Sequence, residues 1–171
     1  WAGQGKRRPL IVALEHAYHG DTFGAMAASE RGVLTAPFAG HLFEVVRLPD
    51  PSDDGFATVA ALDRVLETRG AELAAVIVEP LLLGAGGMRV WDAPTLRAIR
   101  QRTTAAGVLL IVDEVLTGFG RTGPHFACGR ADVVPDIICL SKGLTGGFLP
   151  LGATVTREEV FAAFLGPDRR R

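Results

Sequence analysis

Two cysteines, no apolar run of membrane-spanning length and no surplus of either charge mark this chain of 171 residues, and each shortage removes a class of function. Cys128 and Cys139 stand eleven positions apart (139 − 128), without a CxxC pair or two histidines nearby. Neither a zinc site nor a disulfide framework is indicated, no metal is expected, and free thiols fit a cytoplasmic location. The N-terminal WAGQGKRRPLIVAL lacks the layout of an export signal, and no apolar stretch approaches the ~18 residues of a membrane span. No membrane partner is expected. Lys+Arg 18 against Asp+Glu 19 gives a net charge of -1, with Arg169–Arg171 as the one dense basic cluster. Nucleic acid is therefore not an expected partner.

What is present is 48% hydrophobic and 22% charged with 21 glycines, the composition of a globular α/β protein with many tight turns. A chain of this length can form one domain that buries roughly 70% of its unfolded surface. Four short runs rich in Val, Ile and Leu lack the helical three-four spacing and read as buried strands: PLIVALE (9–15), AAVIVEP (74–80), GVLLIVDE (107–114) and PDIICLSK (135–142). Between them TVAALDRVLETRG places Val59, Leu62, Val65 and Leu66 on one helical face and is expected to stop at a left-handed Gly70. DAPTLRAIRQRTTAAG opens with Asp92 as cap and Pro94 in its first turn, turns Leu96 and Ile99 inward and ends at Gly107. In TREE, Thr156 is expected to cap a last helix and Glu159 to close a capping box ahead of VFAAFL. PDPSDDG (49–55) reads as a loop within the domain, and no repeat, low-complexity tract or linker divides the chain. Alternating strands and helices, with strands apolar on both faces, argue for a mostly parallel sheet flanked by helices.

In such a sheet ligands bind beyond the carboxyl ends of the strands. Those ends carry Glu15 leading into HAYHGDT, then Glu79, Asp113 and Lys142, so Tyr18, His19, two acids and a lysine can meet on one rim. Each has a plainer role available. Lys142 can be a solvated strand end, Glu79, Asp113 and Glu114 can cap turns, and Tyr18 and His19 can be packed with satisfied hydrogen bonds. Accident is a weaker account of all four ends together. A lysine buried opposite a buried aspartate is also a poor stabiliser, because desolvation offsets the attraction. The chemistry that uses such a pair is imine formation on a pyridine aldehyde, with the lysine condensing and the carboxylate keeping the ring nitrogen protonated.

The run LLIVDEVLTGFGRTGPHFACGRADVVPDIICLSKGLTGG sets Asp113 and Lys142 29 positions apart (142 − 113). It resembles the signature region of the class III aminotransferases, pyridoxal 5'-phosphate enzymes of the type I aminotransferase fold. AYHGDTFGAM (17–26) and EPLLLGAGGM (79–88) agree with it, so the resemblance covers nearly the whole chain. These stretches favour the branch that serves biotin biosynthesis with S-adenosylmethionine as amino donor; ω-amino acid, diamine and ornithine-type branches are the alternatives.

The resemblance implies that Lys142 binds the cofactor covalently and then moves the substrate proton as general base. It further implies that Asp113 pairs with the ring nitrogen while Tyr18 and Val115 pack on opposite ring faces, Tyr18 also facing the substrate, with His19 and Glu79 behind them. Arg121 in GFGRTG stands where the biotin branch has an arginine near the substrate channel, and a loop-stabilising role is equally open. Gly20, Gly118, Gly120 and Gly143 read as turn and close-approach positions. GAGG (84–87) is not a dinucleotide fingerprint, because the sixth position of GxGxxG is Arg89. Leu83 stands where the family commonly has glutamine.

The implied fold is the central part of the large domain of a type I aminotransferase, with residues 1–171 forming a partial cofactor-binding domain. The family's phosphate-binding loop and C-terminal domain are expected to lie outside this stretch, and the stretch alone is expected to be inactive. The implied partners are a small-molecule amine donor, an oxo-acid acceptor and a second copy in a homodimer. A noncatalytic α/β fragment, whose strand-end groups only cap loops, is the reading from outside the enzyme class.

Overall fold

All four apolar runs form strands, and they make the parallel centre of one sheet. The computed structural model describes residues 1–165, so the Arg169–Arg171 cluster lies outside the described residues. In chain order the elements are β1 (Leu10–Leu14), α1 (Phe23–Ala28), β2 (Val45–Leu48), α2 (Pro51–Arg69), β3 (Leu73–Val78), β4 (Leu82–Leu83), β5 (Arg89–Val90), α3 (Ala93–Ala105), β6 (Leu109–Asp113), β7 (Ile137–Leu140), β8 (Ala153–Thr156) and α4 (Glu158–Ala162). Six strands share the order β2-β1-β3-β6-β7-β8, all parallel except the edge strand β8. β4 and β5 form a separate antiparallel pair.

The period of two along each strand decides what covers the sheet. Val12, Leu14, Val76, Val78, Leu110 and Val112 are fully buried and form one cluster with Leu62 of α2 and Leu96 and Ile99 of α3. Each such side chain contributes roughly 1.5–3 kcal/mol by leaving water. The alternate residues Ile11, Ile77 and Ile111 are only half-buried, so the second face is less fully covered than its apolar sequence led one to expect.

Several local expectations need correction. PDPSDDG is not a loop: Asp50 accepts the Ser52 amide at 2.8 Å, Pro51 occupies the first helical position, and α2 starts there with a kink at Asp54. The early cap outweighs the glycine and acids that made this stretch look irregular. Gly70 is right-handed, with φ -55, and leads into a short 3-10 turn instead of a left-handed stop. Thr156 does not cap α4 either. It belongs to β8, where it pairs with Ile137, and Arg157 precedes the helix without a side-chain cap bond. Asp92 and Gly107 behave as expected, Asp92 accepting the Thr95 amide at 2.9 Å and Gly107 taking φ +59 after α3.

Strands β2 and β8 carry weak apolar signals and take their conformation from their neighbours. In β2 the polar Arg47 turns its guanidinium onto the carbonyls of Ala27, Ala28 and Ser29 at the end of α1. Burial pulls the Arg47 pKa down.

Asp136, just ahead of β7, ties three elements together. It accepts from both arms of Arg100 on α3 at 2.6 and 3.3 Å, from the Leu110 amide of β6 at 2.8 Å and from Arg157 after β8 at 3.0 Å. Burial alone would raise its pKa, but the hydrogen bonds from Arg100, Leu110 and Arg157 prevail and hold it below the usual carboxylate range. A depressed pKa means stability that is full above the unfolded value of about 3.9 and lost as pH falls through the folded value. Asp136→Asn should therefore lower unfolding stability by about 3 kcal/mol in urea at pH 7, with the gap to the parent closing as the pH drops through that window. Equal midpoints at pH 7 would show that the network makes no net contribution.

Candidate active site

The chain leaves β1 toward β2 on one side, whereas β3, on the other side of β1, leads on to β6. The carboxyl ends of β1 and β3 thus flank a topological switch point, where two loops diverge and open a crevice. Tyr18 and His19 follow β1, Glu79 follows β3, Asp113 ends β6 and Lys142 follows β7. All five, with Val115, line a single cavity of about 300 Å³, closed by Gly20, Ala85 and Leu116. Arg121 is not among its lining residues and is exposed on its turn.

Three buried carboxylates shape this rim by accepting backbone amides. Glu79 accepts from Tyr18 N at 2.9 Å and Gly84 N at 3.0 Å, holding the loop after β1 to the loop after β3. Burial raises the Glu79 pKa against the pull of those two bonds. Gly86 completes the closure, since a Cβ there would lie 2.2 Å from the His16 carbonyl oxygen. Asp113 takes Val115 N at 3.1 Å on Oδ1 and stands 2.8 Å from His19 Nδ1 through Oδ2. With Asp113 ionised, Nδ1 is the donor, and His19 Nε2 is buried without a hydrogen-bond partner among the described residues.

Glu114, read from sequence as a turn cap, is fully buried. It accepts from Thr117 Oγ1 at 2.5 Å, Ala127 N at 3.0 Å and Cys128 N at 2.8 Å, pinning both feet of the GFGRTG turn. Burial, with Glu114 beside it, pushes the Cys128 thiol up to about 12. Cys128 and Cys139 are both free thiols.

Lys142 departs from expectation. It is exposed, not buried, and no ion pair joins it to Asp113 among the described residues. The reason is that β7 ends at Leu140, so Lys142 lies beyond the sheet in a short turn with φ +35. Tyr18 is 43% exposed and donates its hydroxyl to Asp21 Oδ2 at 2.9 Å, a bond that raises its pKa along with partial burial. Leu83 is fully buried in the apolar cluster and does not line the cavity, so it offers no substitute for a polar contact there.

The arrangement suits a small planar ring. The buried carboxylate residue Asp113, the apolar Val115, the aromatic Tyr18 and the amine-bearing Lys142 all line the one cavity. A carboxylate and an amine on one cavity are a donor set that fits pyridoxal. A second cavity of about 670 Å³ shares Tyr18, Gly20 and Ala85 with the first and brings in Asp21 and Glu30, which sequence reasoning missed. Their only signal was proximity to HAYHG. Glu79→Ala should free both loops, speeding hydrogen exchange at the Tyr18 and Gly84 amides about tenfold or more while the β3 amides stay protected. Unchanged exchange at those two amides would refute the bracket.

The class-III aminotransferase sequence profile matches residues 2–169. The chain is 50% identical, over 96% of its length, to the adenosylmethionine-8-amino-7-oxononanoate aminotransferase of Synechococcus elongatus, of which it covers 40%. It is 37% identical to the enzyme of that name from Geobacter sulfurreducens, again over 40% of the latter. Among solved structures, the adenosylmethionine-8-amino-7-oxononanoate aminotransferase of Methanocaldococcus jannaschii superposes with TM-score 0.88 at 33% identity, over 96% of this chain and 38% of that one. An amine transaminase from an uncultivated Pseudomonas species, solved with pyridoxal phosphate bound, gives TM-score 0.87 at 32% identity over 96% of this chain and 40% of that one. The chain thus spans about two-fifths of the length of these relatives, and it belongs to the class-III aminotransferases, a pyridoxal-phosphate-dependent family.

Proposed function

We propose that the protein to which this chain belongs is a pyridoxal-phosphate-dependent aminotransferase. It would move an amino group from S-adenosylmethionine to 8-amino-7-oxononanoate, giving 7,8-diaminononanoate for biotin biosynthesis. The observation that carries the reaction type is the meeting of a buried Asp113 carboxylate and the Lys142 amine on one 300 Å³ cavity. The substrate pair rests on the likeness to the adenosylmethionine-8-amino-7-oxononanoate aminotransferases of Synechococcus and Geobacter. An ω-amine or diamine donor is the second reading, favoured by the likeness to an amine transaminase.

Bound pyridoxal phosphate supplies an aldehyde and a protonated pyridine that withdraws electrons from the substrate carbon. The chain's own residues do the rest. Asp113 keeps the proton on the ring nitrogen, and its carboxylate is fixed for that task by His19 Nδ1 and the Val115 amide. Val115 and Tyr18, both lining the cavity, would confine the ring. Lys142 would hold the cofactor through its Nζ, and the same amine, when free, would serve as the general base that takes the proton from the substrate carbon. Arg121, on its exposed turn, is assigned no step. A homodimer, and phosphate-binding and substrate carboxylate-binding groups from outside residues 1–171, belong to this proposal.

Lys142→Ala in the whole protein should abolish the visible absorbance that develops on adding pyridoxal phosphate, and reduce turnover by about a thousandfold or more. Parent protein that shows no lysine-dependent band would end the proposal. Donor selection separates the two readings: S-adenosylmethionine supports turnover in the first, and only ω-amines or diamines in the second.

A further inference from the structure

We propose that Phe119 is a positioning residue for Lys142, bracing the turn after β7 so that the lysine is presented to the Asp113 cavity. This rests on the reading of Lys142 as the aldehyde-binding amine. The contact runs through Gly143, whose added Cβ would lie 2.8 Å from both Cβ and Cδ2 of Phe119 and 3.1 Å from its Cγ. Phe119 therefore presses on the backbone of the residue that directly follows the lysine. That backbone needs an outside support. Lys142 holds φ +35, a region that residues with side chains rarely occupy without surrounding contacts to enforce it. The main-chain bonds that close its turn, Leu144 N to Ser141 O at 2.9 Å, Thr145 N to Lys142 O at 3.3 Å and Gly146 N to Gly143 O at 3.3 Å, all lie within the turn itself and tie it to no other element.

The brace is itself anchored. Phe119 has φ +62 and donates its amide to the His125 carbonyl at 2.7 Å. Its ring meets His125 edge-on at 5.4 Å and Phe126 at 5.8 Å, and Phe126 packs against the apolar core. Both feet of the turn are tied to Glu114, the residue after Asp113. A continuous path of contacts thus joins the neighbour of Asp113 to the neighbour of Lys142, and it supplies the spacing that an exposed lysine on a left-handed turn cannot set for itself. With the ring removed, the turn relaxes toward the ordinary right-handed region and the amine moves off the cavity rim.

The sequence holds two lysines, Lys6 and Lys142, so Lys6 serves as an internal reference. The whole protein is treated with limiting pyridoxal, which lacks the phosphate, then reduced with borohydride, and modification at the two lysines is compared by peptide mass spectrometry. In the parent, Lys142 should exceed Lys6. Phe119→Ala should lower the Lys142-to-Lys6 ratio by about tenfold or more, and Phe119→Tyr, which keeps the ring, should restore it. Unfolding midpoints and far-ultraviolet dichroism are measured alongside. If Phe119→Ala unfolds, Phe119→Leu is judged by the same ratio, a fall supporting the brace and an unchanged value overturning it. A folded Phe119→Ala with the parental ratio also overturns it. A parent in which Lys142 reacts no better than Lys6 instead overturns the functional reading on which the brace rests.

Discussion

The site depends on carboxylates that give up water at the ends of strands and accept hydrogen bonds from backbone amides in its place. Glu79 is the central case, because its two oxygens hold loops that leave adjacent strands and would otherwise diverge. Burial penalises the charge and shows in its raised pKa, while the two amide bonds oppose that penalty. A buried amide left without a partner would be costly as well, so acid and loops satisfy one another. Glu114 and Asp113 repeat the device one strand further along.

These clamps divide the rim into a fixed part and an adjustable part. Asp113 is buried, held by His19 and Val115, and sits at the end of a strand paired on both sides. Lys142 is exposed, off the sheet, and held in an uncommon backbone conformation. In the proposed reaction, a carboxylate that would keep one ring nitrogen protonated gains from rigidity. An amine that would hold the cofactor and carry a proton in that reaction gains from reach. The same division explains why the two carry no ion pair in the described residues although both face one cavity.

Much of this was legible in the chain. The four apolar runs are strands because Val, Ile and Leu without helical spacing have no better way to bury both faces, and helix α3 begins at its Asp92 cap for a local reason. The candidate residues Tyr18, His19, Glu79, Asp113, Val115 and Lys142 were all nameable from strand ends and motif resemblance, and the structure gathers them on one cavity while leaving Arg121 outside. The misses have causes beyond any short window. The start of α2 lies in a stretch rich in loop-forming residues, Thr156 is drawn into β8 by pairing with Ile137, and Lys142 is carried off the sheet because β7 stops two residues before it.

By itself, then, the sequence determined the four central strands and the bodies of helices α2 and α3, which chemical groups stand at the strand ends, and the family that the motifs share. Those properties arise from local periodicity, capping and residue identity, all of which are contained in a few neighbouring positions. The tertiary structure alone decided the strand order that places the crevice between β1 and β3, and with it the bracket made by Glu79. It also decided the clamp made by Glu114 and the packing of Phe119 on Gly143. Each of these joins residues far apart in the chain, and their contacts follow from which strands pair and which loops close on one another.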